Sequence, residues 1–297
     1  MKLDRSHPIL SHRNLWPALA LVLFIACKQE TVVNSPALLG GAQNAGTNYQ
    51  NMKIRWPSYM VQGDGLNLVI TQNIQNQFLP ADSVAGLNPI EQMAEEWNSA
   101  IPGLTFYKVP ASPSTASGYS SLAQYQDGEM GVYKSTSWFS NVSSSALAIT
   151  QFFGTRKNRG QANEYVELAH ADVIFNYKNF EFSTDPNDFT KYDFHSVILH
   201  ELGHFIGLPH EYDTWESIMA PSLGSYESQR SLYAADVTKL SNLYVDFEAL
   251  TSSPQSAIRQ QAPASSEPIQ GVFELLSNGT CIHRINQVEV ERHQVEL

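Results

Sequence analysis

Apolar and polar residues alternate over residues 66–71 (LNLVIT), the two-residue period of a half-buried strand, whereas residues 88–100 (NPIEQMAEEWNSA) carry the wider spacing of an amphipathic helix. Asn88 followed by Pro89 is a good helix start, and Ile90, Met93, Ala94 and Trp97 make its core face. Residues 104–108, 131–137, 146–152 and 171–177 read as further strands, parted by Ser- and Gly-rich loops. Residues 193–206 form the central helix of this reading, with Asp193 as N-cap, Gly207 as a left-handed stop, and Ile198, Leu202 and Phe205 as its buried stripe. A last helical rhythm runs through Val237, Leu240 and Leu243 in residues 233–244 and closes the domain near Phe247. A strand, a helix and then several strands make an α+β or α/β layer pattern.

The two ends differ in character. Residues 1–26 have a basic start (Lys2, Arg5, Arg13) and an apolar run over 15–26 broken only by Pro17, which reads as a secretory signal peptide. About 12 apolar residues are too few for a bilayer that needs roughly 20. Phe24, Ile25, Ala26 and Cys27 resemble a bacterial lipoprotein box, which implies a lipid on Cys27 and a membrane anchor; a simple cleaved signal, and hence a secreted protein, is the alternative. Lys28 lacks the aspartate associated with inner-membrane retention, so the expected place is the outer membrane, on its periplasmic or its cell-surface face. Residues 27–51 suit a flexible tether, 52–247 the folded domain, 248–269 a Pro-, Ser- and Gln-rich linker, and 270–297 a short C-terminal tail with weak strand patterning in 272–276 and 288–290.

Composition narrows the class. With 42% hydrophobic and 16% charged residues in 297, most of the chain should fold, as one domain with tails. The formal net charge of -11 becomes -13 once Lys2, Arg5, Arg13 and the single acid Asp4 are set aside, which argues against nucleic acid as a partner. If Cys27 carries lipid, Cys281 is left alone as a buried or idle thiol, so stability must come from the core and a metal rather than a disulfide; a monomer is expected.

The chemistry lies in HELGHFIGLPH, residues 200–210. His200 and His204 stand one helical turn apart and project from one side of the helix, and Gly207 allows the chain to double back and present His210 as a third nitrogen. Three histidines leave one zinc position open for water. Glu201, about 100° round the helix from His200, reaches that water without binding the metal and is the candidate general base for peptide hydrolysis by metal-activated water.

HExxHxxGxxH followed by Ser217-Ile218-Met219-Ala220-Pro221 resembles the metzincin zinc peptidases and their Met-turn, which places Met219 as a hydrophobic floor beneath the metal. Met-Ala-Pro, a following helix with Asp236 that ends Leu243-Tyr244, and the early Trp56-Pro57 pair are most similar to the matrixins over roughly residues 52–247. Glu211 after the third histidine is astacin-like, yet Pro221 stands where astacins place a tyrosine ligand. The resemblance implies an α+β zincin fold: a twisted, mostly parallel sheet with one antiparallel edge strand, an active-site helix and a C-terminal helix. It implies that the edge strand, with Ala146, Leu147, Ala148, Ile149 and Thr150, pairs with an extended protein or peptide substrate, and that residues 223–231 wall the pocket. No PRCGxxD cysteine-switch segment occurs, so latency, where present, works differently.

His195 lies off the ligand face and reads as structural; His170 is weighed as a ligand of a second metal and also read as structural. Asp172, Asp185, Asp188 and Asp213 show no calcium-loop spacing and read as solvated carboxylates, with Ca2+ the other reading. The expectation is a zinc-dependent endopeptidase holding one catalytic Zn2+; the rival is a catalytically silent or narrowly selective zinc-containing surface binding protein.

Overall fold

The computed structural model describes residues 52–110, 112–116, 118–221, 223–225, 227–246, 267–277 and 280–294. Its chain order opens with β1 (Lys53–Arg55), the short helix α1 (Ser58–Val61), β2 (Leu66–Asn67), β3 (Val69–Ile70), a second short helix α2 (Gln72–Gln75) and α3 (Pro89–Asn98). The alternating stretch 66–71 is thus two strands, because β2 pairs with β4 (Tyr107–Lys108) while β3 turns to another sheet beside β5 (Gly131–Ser135). Helix α3 starts as its sequence implies: Asn88 Oδ1 accepts from the amides of Ile90 and Glu91, and Glu91 reaches back to the Asn88 amide at 2.7 Å.

Two long strands follow, β6 (Ala146–Lys157) and β7 (Tyr165–Asn176), then the short parallel pair β8 (Phe182–Ser183) and β9 (Tyr192–Asp193), α4 (Phe194–Phe205), and α5 (Ala234–Ser241), which continues as a π-turn to Asp246. Strands β1, β3 and β5 all join parallel, β1 and β5 to β7 and β3 to β5, whereas β6 runs antiparallel to β7. Up to residue 246 this is the mostly parallel sheet with one antiparallel edge strand. Beyond it, β10 (Glu267–Leu276), β11 (Thr280–Ile285) and β12 (Val288–Gln294) extend the sheet past β6 in the order β12-β11-β10-β6-β7-β5-β3, every added pair antiparallel. The tail begins its first strand at Glu267, inside the span read as linker, and its three strands belong to the same compact unit as the rest of the described chain.

Helix α4 packs against α3 and β6 in the main core, which also takes Trp56, Trp97, Phe106, Phe175 and Tyr244. All 12 of its residues are buried, so the stripe of Ile198, Leu202 and Phe205 is only part of a helix covered on every side. Among the described residues no helix is long and apolar enough to cross a membrane. Cys27, the signal segment and the tether fall outside the described residues.

Candidate metal centre

Asp193 caps α4: its carboxylate accepts from the Ser196 amide at 2.9 Å and is gripped by the Arg230 guanidinium. At the other end the last carbonyls are met by side chains from distant parts of the chain, Leu202 O in addition to its bond from the Ile206 amide at 3.2 Å. Tyr107 Oη donates to Leu202 O, Trp56 Nε1 to Phe205 O at 2.8 Å, and Tyr244 Oη to Ile206 O at 2.8 Å. Gly207 follows with φ +91°, and a Cβ there would run into the Ile54 carbonyl, so only glycine makes this turn without strain. The turn carries the chain back to His210.

The ring nitrogens of His200, His204 and His210 lie within 4.8 Å of one another, the only such convergence of His, Cys, Asp or Glu among the described residues. His200 Nδ1 is bonded to Ile218 O at 2.7 Å and His204 Nδ1 to Leu208 O at 2.8 Å, which makes both Nδ1 atoms the protonated donors and leaves Nε2 as lone-pair nitrogens. His204 Nε2 and His210 Nε2 face each other at 2.9 Å. Burial pushes the His200 imidazole down to about 4 against the opposing bond to Ile218, and burial with the neighbouring His200 holds His204 well below its ordinary range. Neutral rings are the form that ligates a metal. His200 Nε2 and Glu201 Oε1 are buried without a hydrogen-bond partner, an arrangement that costs stability unless a cation and its water complete it. Three imidazoles with an open side fit Zn2+.

Glu201 is fully buried, which raises its carboxyl to about 8, opposed by Thr150, whose hydroxyl donates to Glu201 Oε2 at 2.5 Å. Beneath α4, Met219 is buried against Gly203, whose other side-chain neighbour is Trp97. The turn that carries it is held from both sides: Asp236 of α5 accepts from Ser217 Oγ at 2.5 Å and the Ile218 amide at 3.1 Å, while Ile218 O bonds His200. Met219 O receives the Glu211 amide at 2.7 Å, and Lys239 of α5 bonds His210 O at 3.2 Å and pairs with Glu211 at 2.9 Å. Helix α5 therefore braces the loops bearing two of the three histidines' supports. Thr150 and Lys239 were not foreseen in these roles, since they lie 51 and 29 residues from the groups they bond and no local spacing links them.

Of the other residues singled out, Ala146, Leu147, Ala148, Ile149 and Thr150 lie in β6 beside the centre, but the edge expected to be open to substrate is paired along its length with β10. His170 and Asp172 bond each other at 2.8 Å, and Asp172 also accepts from Gln151 and the Gly131 amide. Asp172 is wholly buried, not a solvated carboxylate: it satisfies donors of β5, β6 and β7, and its partners form a strand clamp. Asp185 and Asp213 are exposed, and these acids do not gather. His195 is buried and lowered to about 4, by burial and then by the Arg230 charge, consistent with a structural place. Gln229 and Arg230, from the stretch expected to wall a pocket, are bound to the N-terminal turn of α4 through Ser196 and Asp193.

Residues 69–245 match the family model of matrixin, well over half of the chain. No curated protein gives a significant match to it.

Proposed function

The chain belongs to the matrixin family, and from that premise we propose that it is a zinc-dependent endopeptidase in which Glu201 is the general base. One observation carries the reading: three buried imidazoles converge beside a carboxylate that is unpaired on one oxygen and fixed on the other. Bound by His200, His204 and His210, Zn2+ would supply Lewis acidity that lowers the pKa of a water and polarises a carbonyl. Glu201 Oε1 takes the proton of the attacking water and returns it to the nitrogen of the leaving amine. Thr150 keeps Oε2 engaged, so the carboxylate presents one oxygen in one orientation. Asp236 and Lys239 hold the loops that set His200 and His210, and Met219 closes the floor with an apolar surface. The intact Glu201 favours turnover over the silent zinc-containing binding protein.

We further propose export through residues 1–26 and lipid attachment at Cys27, on the sequence pattern alone; labelled fatty acid incorporated by the wild type and absent from Cys27→Ala is the expected result. The peptidase reading is tested with zinc-loaded full-length protein on a mixed peptide library beside Glu201→Ala. Cleavage lost in the variant with zinc still bound is expected; equal cleavage by both removes Glu201 from the mechanism.

A further inference from the structure

Strand β6 passes the metal centre: Thr150 bonds Glu201, and one edge of β6 is taken by β7. The opposite edge is where an extended peptide would add as a strand to reach Glu201, because backbone amides and carbonyls there offer the ladder such binding uses. In this chain β10 fills that edge, in antiparallel register from Glu267 opposite Arg156 to Leu276 opposite Ala146.

Its register puts Phe273 opposite Thr150. The Phe273 ring lies parallel to the His204 imidazole, centroids 4.1 Å apart at 1°, and its centroid is 6.0 Å from that of His210. Gly271 faces Phe152, and a Cβ there would overlap the Phe152 ring, so the strand reaches this depth only because that position has no side chain. Both ends of β10 are fastened. Glu267 pairs with Arg156 at 3.2 Å, and Glu274 is buried, accepting from the Ser143 amide at 3.0 Å and pairing with Arg284 of β11. With β10 in place Glu201 is 0% and the three histidines at most 2% exposed, so a substrate reaches them only while β10 is displaced.

We infer that the C-terminal segment is a built-in occupant of the substrate cleft, a strand that holds the enzyme latent by lying where the scissile peptide must lie. The inference rests on the peptidase reading for its meaning, though not for the occupancy. A tethered strand competes at an effective concentration on the order of millimolar, so ordinary peptide levels do not displace it. Activation then requires release of residues 267–294, by cleavage ahead of them or by a partner that takes up these three strands.

The test compares zinc-loaded full-length wild type with Gly271→Val, and with a full-length protein carrying a site for a sequence-specific protease inserted after Ala262 and cut once folded. Backbone hydrogen exchange reads whether 267–276 stays paired; peptide cleavage and calorimetric binding of a peptide hydroxamate read access to the centre. Expected are protected amides in β10 and slow turnover in the wild type. Release in either altered protein should lose that protection, with a rise of at least about tenfold in both kcat/KM and hydroxamate affinity. Fast exchange of 267–276 in the wild type overturns the inference, as does release that leaves cleavage and hydroxamate binding unchanged. Hydroxamate binding that rises on release while no protein cleaves peptide upholds the occupant and defeats the peptidase reading. If Gly271→Val does not fold, the cut protein decides.

Discussion

Replacing Asp236 by Ala probes how the metal loop is held. The carboxylate accepts from Ser217 Oγ, the Ile218 amide and the Tyr233 amide, of which the first two are buried and have no route to water. Leaving a buried donor unsatisfied costs about 1–3 kcal/mol, so two of them put the loss near about 4 kcal/mol, a large share of an ordinary domain's stability. The Ile218 backbone is held on both sides of its Cα: its N–H donates to Asp236, and its C=O accepts from His200 Nδ1. Loosening one side lets the other tilt, and losing the support of a ligating histidine costs roughly 10–100-fold in metal affinity. Zinc affinity is measured by competition with a chromogenic chelator, and stability by urea unfolding with and without zinc. At fixed free zinc a tenfold weaker site shrinks the zinc-dependent stabilisation by about 1.4 kcal/mol, which supplies an independent check. A Kd for zinc within twofold of wild type would refute the argument that Asp236 supports His200 through Ile218, whatever happens to stability.

Thr150→Val keeps the side-chain shape and removes the donor to Glu201 Oε2; kcat should fall about tenfold with zinc retained, and Thr150→Ser should recover most of it in a peptide assay. Gly207→Ala forces a side chain into a left-handed turn and onto the Ile54 carbonyl, which should cost more than about 2 kcal/mol by urea unfolding. His195 has a folded pKa depressed to about 4, by burial first and the Arg230 charge second, with Asp193 and Asp82 opposing. The unfolded chain therefore takes up this proton first: above pH 6.5 His195 contributes nothing, and as pH falls from 6.5 toward 4 it removes up to about 3 kcal/mol. His195→Gln should flatten that part of the stability profile of the metal-free protein; an unchanged slope would exclude His195 as its source.

Much of the centre was legible because it is local. His200, Glu201 and His204 are related by one helical turn, and Gly207 and His210 follow within the same short stretch, so the geometry of a helix and one left-handed residue sets their arrangement without the rest of the fold. Asn88 and Asp193 announce their helices for the same reason. The buried strands were legible only in part: the first half of β6 and the second halves of β7 and β10 are covered on both faces, so their residues do not alternate, and the tail shows only a weak pattern.

The sequence by itself determined the helix that carries His200 and His204, the turn after it and the place of Glu201 on it, since those depend on residues whose spacing the backbone period converts directly into position. Only the tertiary structure decided that Thr150 orients Glu201, that Asp236 and Lys239 brace the loops around the histidines, and that β10 takes the edge of β6. Each of these joins residues far apart in the chain, and strand pairing and hydrogen bonds at such separations are selected by the packing of the whole sheet and core rather than by any period in the sequence.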